Sequence, residues 1–125
     1  MLGHENLRSW KTEIEFVERV YRLTTGLPAC EMYGLTSQLR RGAISIPANI
    51  AEGAARGSRA DYVRFLRIAR GSLAECETLL HLADRLQLAE EEAMEPVRVA
   101  NRQLTRLLSR QIRALEGQGG GVARR

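Results

Sequence analysis

The sequence is poor in aromatic residues and nearly devoid of lysine. Aromatic side chains make up 5% of the 125 residues, and Lys11 is the one lysine among 19 basic residues, the others being arginine. Residues that favour helices outnumber the β-branched residues that favour strands. The composition therefore predicts an all-α protein, and the length leaves room for one hydrophobic core.

Cysteines and long apolar runs are also scarce. Cys30 and Cys76 lie far apart, form no CxxC pair and follow no apolar leader segment. This pattern is typical of a reduced, cytoplasmic protein whose thiols simply pack. No apolar run approaches the roughly 18 residues that a membrane-spanning helix needs, so we expect a soluble protein.

Positive charge is concentrated in the last quarter of the chain. Residues 1–95 carry 12 basic and 14 acidic side chains, whereas residues 96–125 carry seven arginines against Glu116 alone, for a net charge of +4. Arginine suits bidentate contact with phosphates or carboxylates. An anion-binding surface is therefore expected in the C-terminal part.

Apolar periodicity predicts two helices in the first half. The first, over about 7–24, has one apolar face, formed by Leu7, Trp10, Ile14, Val17 and Tyr21. The second, over about 32–53, is kinked but not broken by Pro47 and closed by Gly53. Its inward positions are Leu35, Leu39, Ala43, Ile46 and Ile50.

Two more helices are predicted in the second half. The third follows a capping box at Ser58–Asp61 and runs to about Leu86. Its inward positions are Tyr62, Phe65, Leu66, Ala69, Leu73, Cys76, Leu80 and Ala83, widened by Leu79, Leu82 and Leu86. The fourth follows the acidic run 90–92 and buries Val97, Ala100, Leu104, Leu108, Ile112 and Leu115. Together they predict an antiparallel up-and-down four-helix bundle over 1–116, with a flexible glycine- and arginine-rich tail over 117–125.

Three groups of residues are candidate binding surfaces. An arginine ridge on the outward face of the fourth helix is the candidate nucleic-acid site: Arg98, Arg102, Arg106, Arg110 and Arg113. A polar stripe is the candidate network between helices or subunits: Gln38, Arg41, Ser45, Asn49 and Glu52, with Glu75 of the third helix. A second apolar face of the second helix is the candidate oligomer interface: Ile44, Ala48 and Ala51.

Each surface also has a simpler interpretation. The arginines can form a solvated face that offsets the dipole of the fourth helix, the polar stripe can be plain surface, and the small residues can serve ordinary helix packing. His4 and His81 lack partners at metal-ligand spacing, the Glu-x-x-His patterns of di-iron bundles are absent, and no Ser, Cys or Lys stands beside a plausible general base in the sequence. We expect no enzyme, no metal and no cofactor.

Two segments of the second helix carry a family resemblance. Tyr33-Gly34-Leu35-Thr36-Ser37-Gln38-Leu39-Arg40-Arg41 and Ser45-Ile46-Pro47-Ala48-Asn49-Ile50-Ala51-Glu52-Gly53 resemble the signature of the four helix bundle proteins known from 23S rRNA intervening sequences. Further matches extend the resemblance over residues 5–116. The chain departs from the pattern at Gly42, Cys76 and Ala89, where alanine, leucine and a capping Ser or Thr are usual.

The resemblance implies a left-handed bundle that assembles into a ring, a homopentamer. The accessory variability determinant of diversity-generating retroelements is similar, and the resemblance to it implies RNA or DNA and a reverse transcriptase as partners. Two hypotheses follow. One is an oligomeric, non-enzymatic protein that binds nucleic acid, RNA above all, through the fourth helix. The alternative is a homo-oligomeric protein-interaction scaffold whose arginines meet carboxylates.

Overall fold

The computed structural model describes the backbone of residues 4–120 and the side chains of residues 9–117. It contains four α-helices: α1 (His4–Thr25), α2 (Leu35–Ala55), α3 (Arg59–Arg85) and α4 (Glu91–Gly120). A short 3-10 helix over Ala29–Glu31 lies between α1 and α2, and the described part contains no strand.

The helices form the predicted antiparallel up-and-down bundle. Each helix packs against the next along the chain, and α4 closes the bundle by packing against α1. Short links make consecutive helices run in opposite directions. The beginning of α3 and the end of α4 therefore share one end of the bundle, and the end of α3 and the beginning of α4 share the other.

The core formed by α2, α3 and α4 agrees with the predicted periodicity. All five inward positions of α2 are buried, and so are the predicted positions of α3 from Phe65 to Ala83, together with Leu79. On α4 the side chains of Val97, Leu104, Leu108 and Ile112 are buried. Helix α2 continues without a break through Pro47, as predicted.

The predicted inward face of α1 is displaced by about one residue from the buried one, and of its members Val17 is partly buried against the core. The structure buries Phe16, Val20 and Leu23, whereas Trp10 is 53% exposed and Tyr21 is 37% exposed. Helix α1 carries two adjacent apolar stripes, and the stripe that faces the core also contains polar residues that conceal it in the sequence. Periodicity alone predicts that the more apolar stripe is buried, but the other stripe packs against α2 and α4.

The ends of the elements differ in detail from the predictions. The Ser58 hydroxyl accepts the Asp61 backbone N–H at 3.1 Å and caps α3 as predicted. Leu82 and Leu86 do not widen the core, since they are 44% and 61% exposed. Helix α4 continues to Gly120 rather than ending where the predicted tail over 117–125 begins, and residues 121–125 lie outside the described part.

Gly53 does not end α2 but allows α2 and α3 to approach closely. The helix runs two residues further, to Ala55. A Cβ atom on Gly53 would lie 2.6 Å from Cβ of Phe65 and 3.4 Å from Cα of Tyr62. The first distance is too short for two carbon atoms, so glycine is required by packing against α3.

Gly53→Ala is therefore expected to destabilise the bundle. Overpacking of this kind costs about 1–3 kcal/mol. The matched control is Gly71→Ala, because Gly71 is also a glycine within a helix but a Cβ there would meet nothing within 4 Å. That variant should gain about 0.5–1 kcal/mol from helix propensity. Urea unfolding measures both changes, and a Gly53→Ala protein as stable as the parent would contradict the close packing.

Candidate nucleic-acid interface

The first half of the α4 arginine ridge is neutralised within the chain. Arg98 donates from Nε to Oε1 of Glu95 at 3.1 Å and also binds Glu91. Hydrogen bonds to Glu91 and then to Glu95 raise the pKa of the Arg98 guanidinium above its usual range. Arg102 Nη2 lies 3.6 Å from Oε2 of Glu95. Glu91 and Glu95, in the first two turns of α4, thus offset both of these positive charges.

The second half of the ridge is free of such partners. Arg106, Arg110 and Arg113 are exposed, and none of them forms an ion pair with any carboxylate among the described side chains. Their spacings of four and three place all three within about 60° of one outward direction on α4. These three arginines are the uncompensated part of the predicted surface.

Two arginines of α3 lie against the same part of α4. Arg70 Nη1 donates to Oγ of Ser109 at 3.2 Å, and Arg67 forms an ion pair with Glu116. The sequence prediction missed both, because their position beside α4 depends on the register of two helices. The spacing of three between them was the only local signal.

The polar stripe predicted on α2 forms a small hydrogen-bonded group with α3. Ser45 Oγ lies 2.7 Å from the Gly42 carbonyl oxygen and 2.6 Å from Oγ of Ser72. Because a hydroxyl has one hydrogen, both contacts are satisfied when Ser45 donates to Gly42 and accepts from Ser72. Asn49 Nδ2 donates to the Ser45 carbonyl oxygen at 2.7 Å.

The charged members of that stripe do not pair with one another within the chain. Glu52 pairs with Arg56 of its own helix, with 2.9 Å between Oε2 and Nε. Among the described residues no ion pair joins Arg41 to Glu52 or Glu75. Gln38, Arg41 and Glu75 instead line an open cavity of about 340 Å³ between α2 and α3. Contacts of this stripe with another subunit stay a prediction.

Gly42, which lines this cavity, and the fully buried Cys76, two of the residues that depart from the family pattern, lie against each other. A Cβ on Gly42 would lie 2.9 Å from Sγ of Cys76, so the two residues constrain each other's size. Burial and then the nearby Glu75 carboxylate raise the pKa of the Cys76 thiol to about 12. The thiol stays protonated at neutral pH and packs in the core rather than acting as a nucleophile.

The predicted oligomer face on α2 is exposed and continues onto α1. Ile44 is 44% exposed, and Ala48 and Ala51 are also exposed. The Arg40 guanidinium lies 4.4 Å from the ring centre of Tyr21, which places the outer stripe of α1 beside this part of α2. We call the exposed residues Trp10, Tyr21, Ile44, Ala48 and Ala51 the α1–α2 apolar face.

A buried glutamate on α1 is a polar feature that the sequence prediction missed. Glu13 is 1% exposed and accepts a hydrogen bond from the Ser9 hydroxyl at 2.9 Å, while its other oxygen has no described partner. Burial raises the pKa of Glu13 to about 7, and the Ser9 bond lowers it by less. Burial and then the Glu13 charge raise the pKa of Tyr62.

Two other kinds of site are absent from the described residues. Over 4–120 no three histidine, cysteine, aspartate or glutamate residues are grouped so as to hold a metal ion. Within the same range no helix combines the length and the apolar character that crossing a membrane requires.

Comparison with known proteins identifies the family. A family model described as "23S rRNA-intervening sequence protein" matches residues 5–110, which is most of the chain. The chain belongs to the 23S rRNA-intervening sequence protein family. Both signature segments of this family member lie on α2 and the link before it, and all of the uncompensated α4 arginines except Arg113 lie within the matched range.

A crystal structure from the S23 ribosomal protein family has the same fold as this 23S rRNA-intervening sequence protein. That protein, from Bacteroides thetaiotaomicron, is 27% identical, with a TM-score of 0.80 over 87% of this chain and 98% of its own. Its function is described as unknown. No curated protein matches this chain significantly. Neither matching description names an enzyme.

Proposed function

We propose that this protein is a non-enzymatic, oligomeric bundle that binds nucleic acid, RNA in preference to DNA, through the basic surface of α4. The observation that carries the proposal is the group of Arg106, Arg110 and Arg113, exposed on one side of α4 without a carboxylate partner among the described side chains. Guanidinium groups so placed attract phosphates and release counterions from the nucleic acid on binding.

The preference for RNA rests on the family. Its description refers to an insertion in 23S rRNA, which associates its members with RNA rather than with DNA. Helix α4 contains no aromatic residue on which a base could stack. Binding should therefore follow the phosphate backbone and discriminate little between sequences.

Self-association is the second part of the proposal. The α1–α2 apolar face is supported by the half-exposed Trp10 and Ile44, which water contacts in the single chain. Contiguous exposed apolar surface of this kind is typical of protein contacts, and small residues such as Ala48 and Ala51 let two backbones approach closely. A symmetric assembly would also repeat the α4 arginines and raise the local positive potential.

Ile44→Glu is expected to dissociate the assembly, because a charge would be buried in the α1–α2 apolar face. Ile68→Glu is the matched control, since Ile68 on α3 is exposed to nearly the same degree, 41% against 44%. Sedimentation velocity should show a monomer for the first variant and the parental size for the second. Parental size for both variants would exclude this face as the interface.

Sizing the purified protein while recording absorbance at two wavelengths tests binding and assembly together. A particle larger than one chain with excess absorbance at 260 nm, removed by ribonuclease, is the expected result. A large particle that contains no nucleic acid and does not bind added RNA would favour the alternative, a homo-oligomeric protein-interaction scaffold.

A further inference from the structure

Arg70 joins the side of α4 that carries the uncompensated arginines. Its hydrogen bond to Ser109 brings an α3 guanidinium onto α4. Ser109 follows Arg106 by three residues and precedes Arg113 by four, so all three lie on neighbouring turns of one helical face. The Arg70 guanidinium therefore reaches the face of α4 that carries Arg106 and Arg113, although it comes from another helix.

Arg67 reaches the same face about two turns closer to the end of α4, because its partner Glu116 follows Ser109 by seven residues. It forms an ion pair with Glu116, which follows Arg113 by three residues. The Arg67 side chain is still 52% exposed and that of Glu116 is 30% exposed. Glu116 is thus a carboxylate at this edge of α4. It forms an ion pair with the guanidinium of Arg67, whose side chain remains half exposed.

Charge is also distributed unevenly along the long axis of the bundle. Residues 59–70 of α3 carry four arginines and Asp61, whereas residues 71–85 carry Arg85 against three acids, Glu75, Glu77 and Asp84. The acidic first turn of α4 lies at that second end. Positive charge therefore concentrates at the end where α3 begins and α4 finishes, and negative charge at the other.

We propose that α3 and α4 together form a phosphate-binding face for the backbone of double-helical RNA, which we call the basic face. Its members are Arg67, Arg70, Arg106, Arg110 and Arg113. This inference rests on the proposed function and changes the site within it: Arg98 and Arg102 leave the surface, and two α3 arginines enter it. The face spans two antiparallel helices and is wider than a ridge on one helix.

A double helix fits this face better than a single strand. Proteins hold single strands largely by stacking bases on aromatic rings, whereas they hold duplexes by phosphate and sugar contacts. Among the described side chains of α3 and α4, the aromatic residues are Tyr62 and Phe65. Tyr62 is half-buried and Phe65 is 8% exposed. Both precede Arg67 on α3, and neither lies on α4. The basic face offers guanidinium groups and Ser109, which are backbone ligands.

Glu116 competes with phosphate for Arg67. Replacing it by glutamine removes a negative charge from the basic face and frees one guanidinium. Glu116→Gln is therefore expected to strengthen binding of a short RNA duplex by roughly threefold at 0.1 M salt, because Arg67 then contacts a phosphate without giving up an exposed ion pair. The matched control is Glu18→Gln, which releases Arg22 from a similar pair on α1, 4.0 Å long, and should leave affinity unchanged.

Loss of the α3 arginines gives the opposite result. Arg67→Gln combined with Arg70→Gln should weaken duplex binding on the order of a hundredfold at 0.1 M salt and reduce the salt slope by about two. Arg19→Gln with Arg85→Gln is the control with the same loss of charge away from the basic face. Circular dichroism verifies that each variant is folded.

The outcomes separate this inference from the proposed function. If the Arg67 and Arg70 double variant binds as the parent does, while changes at Arg106, Arg110 and Arg113 abolish binding, the two-helix face is wrong and the proposed function stands. If the parent protein binds neither duplex nor single-stranded RNA or DNA, the proposed function itself fails; if it binds single strands and no duplex, the two-helix face for double-helical RNA is wrong. Equal affinity for a single-stranded homopolymer without secondary structure would overturn the assignment to double-helical RNA.

Discussion

Replacing Arg106, Arg110 and Arg113 together by glutamate is expected to lower the affinity for an RNA duplex at least about a thousandfold at 0.1 M salt. Each phosphate contact contributes roughly tenfold at this salt concentration relative to 1 M, and three contacts are lost. The glutamates add repulsion to that loss. A gel-shift or filter-retention titration measures the effect directly.

The control for this variant reverses three other exposed arginines, Arg19, Arg22 and Arg85. Both proteins have the same net charge, so a general loss of attraction would affect them equally. A local phosphate site predicts a large loss for the first and at most a small loss for the second. Equal losses would mean that RNA responds to net charge alone and that α4 carries no specific surface.

Glu13→Gln is expected to remove a pH-dependent loss of stability of about 3 kcal/mol. The folded protein holds the Glu13 proton up to a pKa of about 7, whereas the unfolded chain releases it near 4.5. The stabilisation is thus fully present below pH 4.5 and is lost as the pH rises to about 7. Glutamine keeps an acceptor for the Ser9 hydroxyl but does not ionise.

The measurement is the free energy of unfolding by urea at several pH values from 4.5 to 8. The difference between parent and variant matters, because other carboxylates change the stability of both proteins alike. The parent should lose about 3 kcal/mol more than Glu13→Gln over this range. Glu15→Gln, an exposed neighbour on the same helix, is the control and should follow the parent. Parallel curves for parent and Glu13→Gln would contradict the buried, protonated state of Glu13.

The sequence was sufficient to predict the four helices and most of the buried core residues. In α2 one strongly apolar stripe of five residues is separated from polar positions, so periodicity identified the buried face correctly. In α1 two apolar stripes compete, and the one that packs contains Ser9 and Glu13. Their polarity concealed the core face, since a buried carboxylate is rare enough that a pattern-based prediction assigns it to solvent.

The candidate site was predictable only where it depends on one helix. Arg106, Arg110 and Arg113 stand out in the sequence because their spacing alone gives them a common direction. Arg67 and Arg70 do not, because their contacts with Glu116 and Ser109 depend on how α3 and α4 are aligned. The sequence also placed Arg98 and Arg102 in the candidate nucleic-acid site. Both pair instead with Glu91 or Glu95, which lie one or two turns before them on the same helix.

Close approach between helices was likewise beyond the sequence. In the sequence Gly53 resembles a glycine that ends a helix. Its role in packing becomes visible only from the position of Phe65 on α3. Gly42 and Cys76 departed from the family pattern at sites 34 residues apart, and their contact across α2 and α3 gives the two departures a single steric origin.

The salt dependence of binding between the parent protein and a short RNA duplex tests the central claim most directly. Five phosphate contacts from the basic face predict that the logarithm of the binding constant falls against the logarithm of salt concentration with a slope of about −4 or steeper. Steeper slopes would arise if several subunits engage one duplex. A slope between zero and about −1, or no binding at low salt, would contradict a nucleic-acid role for these arginines.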